Sequence, residues 1–97
     1  MRAERDIEAA TVSVTLPPAL LALFPGAPMT LTLPAAGIPD LLDSLDARWP
    51  GMRDRLCDTR PAIRRHIQLF VDGERASLAT PLRPGADVVF LTAVSGG

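Results

Sequence analysis

The stretch "GIPDLLDSLDARW", residues 37–49, is where the period of the chain changes. Ile38, Leu41, Leu42, Leu45 and Trp49 recur at three- and four-residue intervals and trace one stripe on a helix. Pro39 suits the first helical position, where its missing N–H is no loss, and Asp40 stands where the helix dipole favours an anion. Asp40, Asp43 and Asp46 read as the solvated face of the same helix. Pro50-Gly51 ends it. On both sides of this helix the apolar period is two, so one helix is bracketed by strands.

Working outward, "TVSVTL" (residues 11–16) alternates strictly, with Val12, Val14 and Leu16 on one face and Thr11, Ser13 and Thr15 on the other. That is a half-buried strand, which Pro17-Pro18 ends because neither residue donates to a ladder. Ala19 to Phe24 fits one helical turn or a tight apolar loop, and Pro25-Gly26 reads as a turn. "MTLTL" (residues 29–33) repeats the alternation, placing Met29, Leu31 and Leu33 inward. Two such strands so close together predict an antiparallel hairpin. Beyond the helix, residues 51–60 read as an irregular or short helical link. Ile67, Leu69 and Val71 then share one face of a strand, and His66, Gln68 and Phe70 share the other. Asp72-Gly73 is a strong tight-turn dipeptide. A short, weak strand or loop follows through Ala79, then a Pro84-Gly85 turn and a last strand from about Asp87 to Val94. Strands flanking one helix predict a two-layer α+β domain.

The chain has 97 residues, of which 47% are hydrophobic, enough for one small domain with a real core. Residues 1–10 read as a flexible N-terminal extension and residues 11–97 as the domain. A single Cys excludes an internal disulfide, and one Cys with one His excludes a Cys/His zinc site within the chain. Ten basic against eleven acidic residues give a net charge of −1, without the basic stripe that nucleic acid demands. All ten basic residues are Arg, so no side-chain amine is available for a Schiff base or an isopeptide. The first ten residues carry five charges and no apolar run of a secretory signal, and Ala19–Phe24 is far too short for a bilayer. A cytoplasmic protein without membrane association is the expectation.

Catalytic constellations are missing from the sequence: no G-x-S-x-G elbow, no Gly-rich phosphate loop, no H-E-x-x-H. His66 reads as a surface histidine and Cys57 as an idle thiol. What remains is the tail, "VVFLTAVSGG", residues 88–97. The carboxylate of Gly97 is the one distinctive group, and neither Gly97 nor Gly96 has a Cβ beside it. Such a tail threads a narrow channel, and Val94 to Gly97 reach up to about 14 Å.

These residues resemble the MoaD/ThiS sulfur-carrier proteins. The resemblance spans Thr11 to Gly97 and is most specific at the V-D-G-E stretch from Phe70 to Glu74, at the P-G-x-D turn from Pro84 to Asp87, and in the Gly-Gly tail. It implies a ubiquitin-like β-grasp fold, with a mixed four- to five-stranded sheet packed on one main helix. It further implies that a partner adenylating enzyme of the ubiquitin-activating type, similar to MoeB or ThiF, uses ATP and Mg²⁺ to adenylate Gly97. Sulfur then replaces AMP to give a thiocarboxylate, handed on to an acceptor such as the molybdopterin synthase large subunit. The carrier is then no enzyme and binds no cofactor or metal itself. Ser95 and Val94, with Gly96, would thread into the partner. If Val88, Phe90 and Val94 face the helix, Leu91 faces outward with Phe70 as a docking patch. Molybdopterin synthesis is the first reading. Carriers for cysteine, thiamin or natural products, a ubiquitin-like protein modifier, and a plain binding module are the alternatives. Many family members carry proline where this chain has Thr92 or Ala93, a departure at the root of the tail.

Overall fold

The computed structural model describes residues 11–59 and 62–92. The expected N-terminal extension and the tail from Ala93 to Gly97 lie outside these residues. Five strands, β1 (Thr11–Thr15), β2 (Thr30–Pro34), β3 (Ile67–Val71), β4 (Glu74–Arg75) and β5 (Asp87–Thr92), form one sheet in the order β2-β1-β5-β3-β4. β1 and β5 are parallel at its centre, with Ser13 beside Asp87 and Thr15 beside Val89. All other pairings are antiparallel. The sheet is thus mixed, as a β-grasp requires.

Three helices, α1 (Pro18–Leu21), α2 (Ile38–Arg48) and α3 (Met52–Leu56), complete the order. The stripe of α2 is buried as its spacing predicts: Ile38, Leu41, Leu42 and Leu45 are inaccessible to solvent. They meet Val12, Val14, Leu33, Leu69, Val88 and Phe90 in a single core. Full burial of a side chain such as Phe90 contributes about 2–3 kcal/mol. That core has one sheet face as its floor and leaves the opposite face open.

Local details differ from the sequence reading. Met29 was expected inward but is 53% exposed, because β2 begins only at Thr30 and Met29 belongs to the approach. Ile38 opens α2, so Pro39 is its second residue, and Trp49 lies just past the helix end. After the Asp72-Gly73 turn the open choice between strand and loop resolves as a strand over Glu74–Arg75 only, with residues 76–79 outside any strand. Asp46 is half-buried, not solvated. Its Oδ1 accepts from the backbone N–H of Gly51 at 2.9 Å and of Arg53 at 3.1 Å. A carboxylate of α2 thereby satisfies the free donors that start α3. Asp40 accepts from the N–H of Ala36 at 2.9 Å, closing the loop into α2.

Candidate docking face and tail root

The open face of the sheet is built by alternation. Ile67, Leu69 and Val71 point into the core, so Gln68 and Phe70 point out of β3. On β5, Val88 and Phe90 are buried, which turns Val89 and Leu91 outward. The expected face assignment of Phe70 and Leu91 is the one found. Register then sets the neighbours: Phe70 lies opposite Val89, and Gln68 opposite Leu91. Leu91 is therefore diagonal to Phe70, within reach of an aromatic side chain. It is also the nearer of the two to Thr92, where β5 ends. Leu91 is 42% exposed, one of three large apolar side chains so open among the described residues.

Two members of this face escaped the sequence reading as site residues. Val89 is half-buried between its neighbours. Arg75 lies opposite Phe70 on β4, its guanidinium carbon 6.0 Å from the ring centroid, at the limit of a cation–π contact. The signal for Arg75 was present, since a two-residue turn at Asp72-Gly73 sets Val71 opposite Glu74 and Phe70 opposite Arg75.

The far end of the same strands is clasped. Asp72 occupies the left-handed region, at φ +53°, followed by Gly73 at φ +85°. Its N–H donates to the carbonyl of Asp87 at 2.8 Å, and its Oδ1 accepts from the N–H of Asp87 at 3.0 Å. Its Oδ2 lies 3.2 Å from Nε of Arg83. The V-D-G-E stretch and the P-G-x-D turn are thus two halves of one fastening. It fixes where β5 starts against β3, and hence where it ends.

The other singled-out residues carry no reactive geometry. Cys57 is 2% exposed, with its thiol 3.4 Å from the carbonyl of Asp58. His66 is exposed, as a surface histidine should be. Among the described residues no three His, Cys, Asp or Glu side chains gather as a metal would need. No helix among them is long and apolar enough to cross a membrane. Gly97, Gly96, Ser95 and Val94 lie outside the described residues. An apolar outward face leading to the end of a clamped strand is suited to docking.

Solved structures share this arrangement. CysO of Mycobacterium tuberculosis is 25% identical, with a TM-score of 0.75 over 86% of this chain and 99% of that one. Small archaeal modifier protein 1 of Methanosarcina acetivorans is 26% identical, with a TM-score of 0.70 over 91% of this chain and 97% of its own. The Amycolatopsis orientalis BexX/CysO complex holds a chain that is 24% identical, with a TM-score of 0.76 over 89% and 99%, a likeness of fold. No curated protein matches the sequence. The model of the ThiS family matches residues 23–97, from the loop after α1 through β5 and on through Gly97. With four of the five strands, the clasped turns and the outward face falling inside that span, the chain belongs to the ThiS family.

Proposed function

We propose that this protein is a sulfur carrier whose Gly97 carboxylate is activated by a partner enzyme and converted to a thiocarboxylate. The observation that carries the reading is the family match running unbroken through the Gly-Gly residues. The apolar face of Phe70, Val89 and Leu91 leading toward them supports it. A carboxylate is a poor electrophile. Attack of its oxygen on the α-phosphorus of ATP releases pyrophosphate and leaves an acyl-adenylate. Hydrosulfide then adds to the carbonyl carbon and AMP departs, giving a thiocarboxylate and a proton. ATP, Mg²⁺ and any catalytic cysteine belong to the partner, of the ubiquitin-activating type, so the buried Cys57 is not needed. The carrier supplies a docking face and a tail without side chains at its tip, and works in the cytoplasm.

Molybdopterin synthesis, with the synthase large subunit as acceptor, is the first pathway to test. Cysteine synthesis is the second, since the longer link before "IQLFVDGE" suits such carriers too. A ubiquitin-like modifier is the competing use, favoured by the likeness to an archaeal modifier protein. Having no lysine, the chain offers no side-chain amine for a second copy, so such conjugates would carry single copies at each target lysine.

The test is intact mass after incubation with an adenylating enzyme of this type, ATP and sulfide. Exchange of one oxygen for sulfur at Gly97, lost when Gly97 is deleted, supports the carrier. No exchange with a folded protein and a cognate activator overturns it. Gly97 recovered on target lysines in lysate moves the modifier ahead.

A further inference from the structure

A second surface lies at the same end of the sheet as Thr92 and on the other side from Phe70. Thr92 is paired with Ile67, and both border a cleft of about 600 Å³. One wall is apolar: Leu20 and Leu23 from α1 and the loop after it, with Leu23 51% exposed. The other wall is polar: the guanidinium groups of Arg55 on α3 and of Arg64 just before β3, with His66 beside them. Arg64 donates through Nε to the carbonyl of Asp54, which leaves its two terminal nitrogens uncommitted. Arg55 and His66 have no hydrogen-bond or ion-pair partner among the described residues. Asp54 offsets one charge, so with neutral His66 the lining is two Arg less one Asp, or +1, and the adjoining exposed Arg65 adds another. The chain as a whole is −1, so the excess is local.

We infer that this cleft receives an acidic, apolar-flanked segment of the enzyme that takes the tail, its carboxylates on Arg55 and Arg64 and its apolar side chain against Leu23. The inference rests on the carrier reading for the identity of the partner. The charge sign favours an acidic segment over a basic or neutral one. The cleft borders Thr92, the last described residue of β5, which puts it within reach of a protein that engages the residues after β5. The cleft and the Phe70–Leu91 face flank the strand end from opposite sides, so a partner gripping both would fix the direction in which the tail enters. Charges of this kind act mainly on encounter rate and on discrimination between partners.

Two measurements on the full chain test this. First, amide shifts are followed while the capped peptide acetyl-Asp-Glu-Leu-Asp-Leu-amide is added. Shifts at Leu23, Arg55, Arg64 and His66 that fade with salt support the inference. No shifts, or shifts confined to other faces, overturn it. Second, the adenylating enzyme that charges the wild type is assayed with R55E and with L23S, both exposed positions, after confirming an unchanged melting temperature. An increase in KM for the carrier of about five- to tenfold for R55E, shrinking with salt, is expected. An unchanged KM, with normal charging at Gly97, overturns the inference and leaves the carrier reading standing. Peptide binding in the cleft without any charging of Gly97 would have the converse meaning: an acidic-segment site on a protein that is not a carrier.

Discussion

Removing the Asp72 carboxylate probes the fastening that sets β5 in register. Asp72→Ala deletes the acceptor for the Asp87 N–H, a bond of 3.0 Å whose net worth is about 1 kcal/mol. It also deletes the contact with Arg83, whose side chain is 68% exposed, so that contribution is about 0–0.5 kcal/mol after solvent screening. Alanine must then hold φ near +53°, which Asp tolerates better, at a further cost of about 0.5–1 kcal/mol. The sum is about 2 kcal/mol. For a domain of this size each kcal/mol moves the melting temperature by about 4–8 °C, so Asp72→Ala should melt roughly 10 °C lower. Asp72→Asn keeps a side-chain oxygen and the left-handed tolerance, and should lose only about 0.5 kcal/mol. Thermal denaturation by circular dichroism measures both. Amide exchange should accelerate at Asp87 before it does in α2. Two results refute the reasoning: an alanine variant within about 0.5 kcal/mol of wild type, or an asparagine variant as damaged as the alanine one.

Leu45→Ala empties a fully buried site between helix and sheet and should cost about 3 kcal/mol in a urea titration. Gly73→Ala meets open space, so only its backbone at φ +85° resists, and a loss of about 1 kcal/mol is expected in the same titration. Cys57→Ala should lose about 1 kcal/mol from shallower packing yet form the Gly97 thiocarboxylate as fully as wild type by intact mass. Leu91→Ser should leave the melting temperature within about 3 °C, since the side chain is already 42% exposed, while weakening capture by the adenylating enzyme.

The elements most legible in the sequence are those whose apolar residues all enter one core. Ile38, Leu41, Leu42 and Leu45 are all buried in it, so their spacing survives intact as α2. Val88 and Phe90 fix one face of β5, and the position of Leu91 follows by parity. Met29 misled because alternation continues one residue beyond the ladder that gives it meaning. α3 was ambiguous because a five-residue helix is too short to show a period, and its donors are satisfied by Asp46 from the preceding helix. No local pattern announces that. Of the docking face, Phe70, Leu91 and the outward turn of Val89 were readable by alternation, while Arg75 needed the register that the Asp72-Gly73 turn sets. The cleft was not readable at all: Leu23, Arg55, Arg64 and Thr92 are neighbours only after the whole sheet has closed.

The central parallel pairing of β1 with β5 has a bearing on how the protein is made. Ser13 sits beside Asp87, a separation of 87 − 13 = 74 positions. Closing a loop of that length costs about 4 kcal/mol of chain entropy before any contact repays it, whereas the β1–β2 connection over residues 16–29 costs about 2.4 kcal/mol and the two-residue β3–β4 turn less still. Those local pieces can form as soon as they leave the ribosome. The middle of the sheet cannot, because its last strand is still unsynthesised. Until it arrives, Val12 and Val14 lack one side of their floor and Phe70 has no Val89 across from it. A chain that stops before β5 therefore lacks Val89 and Leu91 and does not present this face.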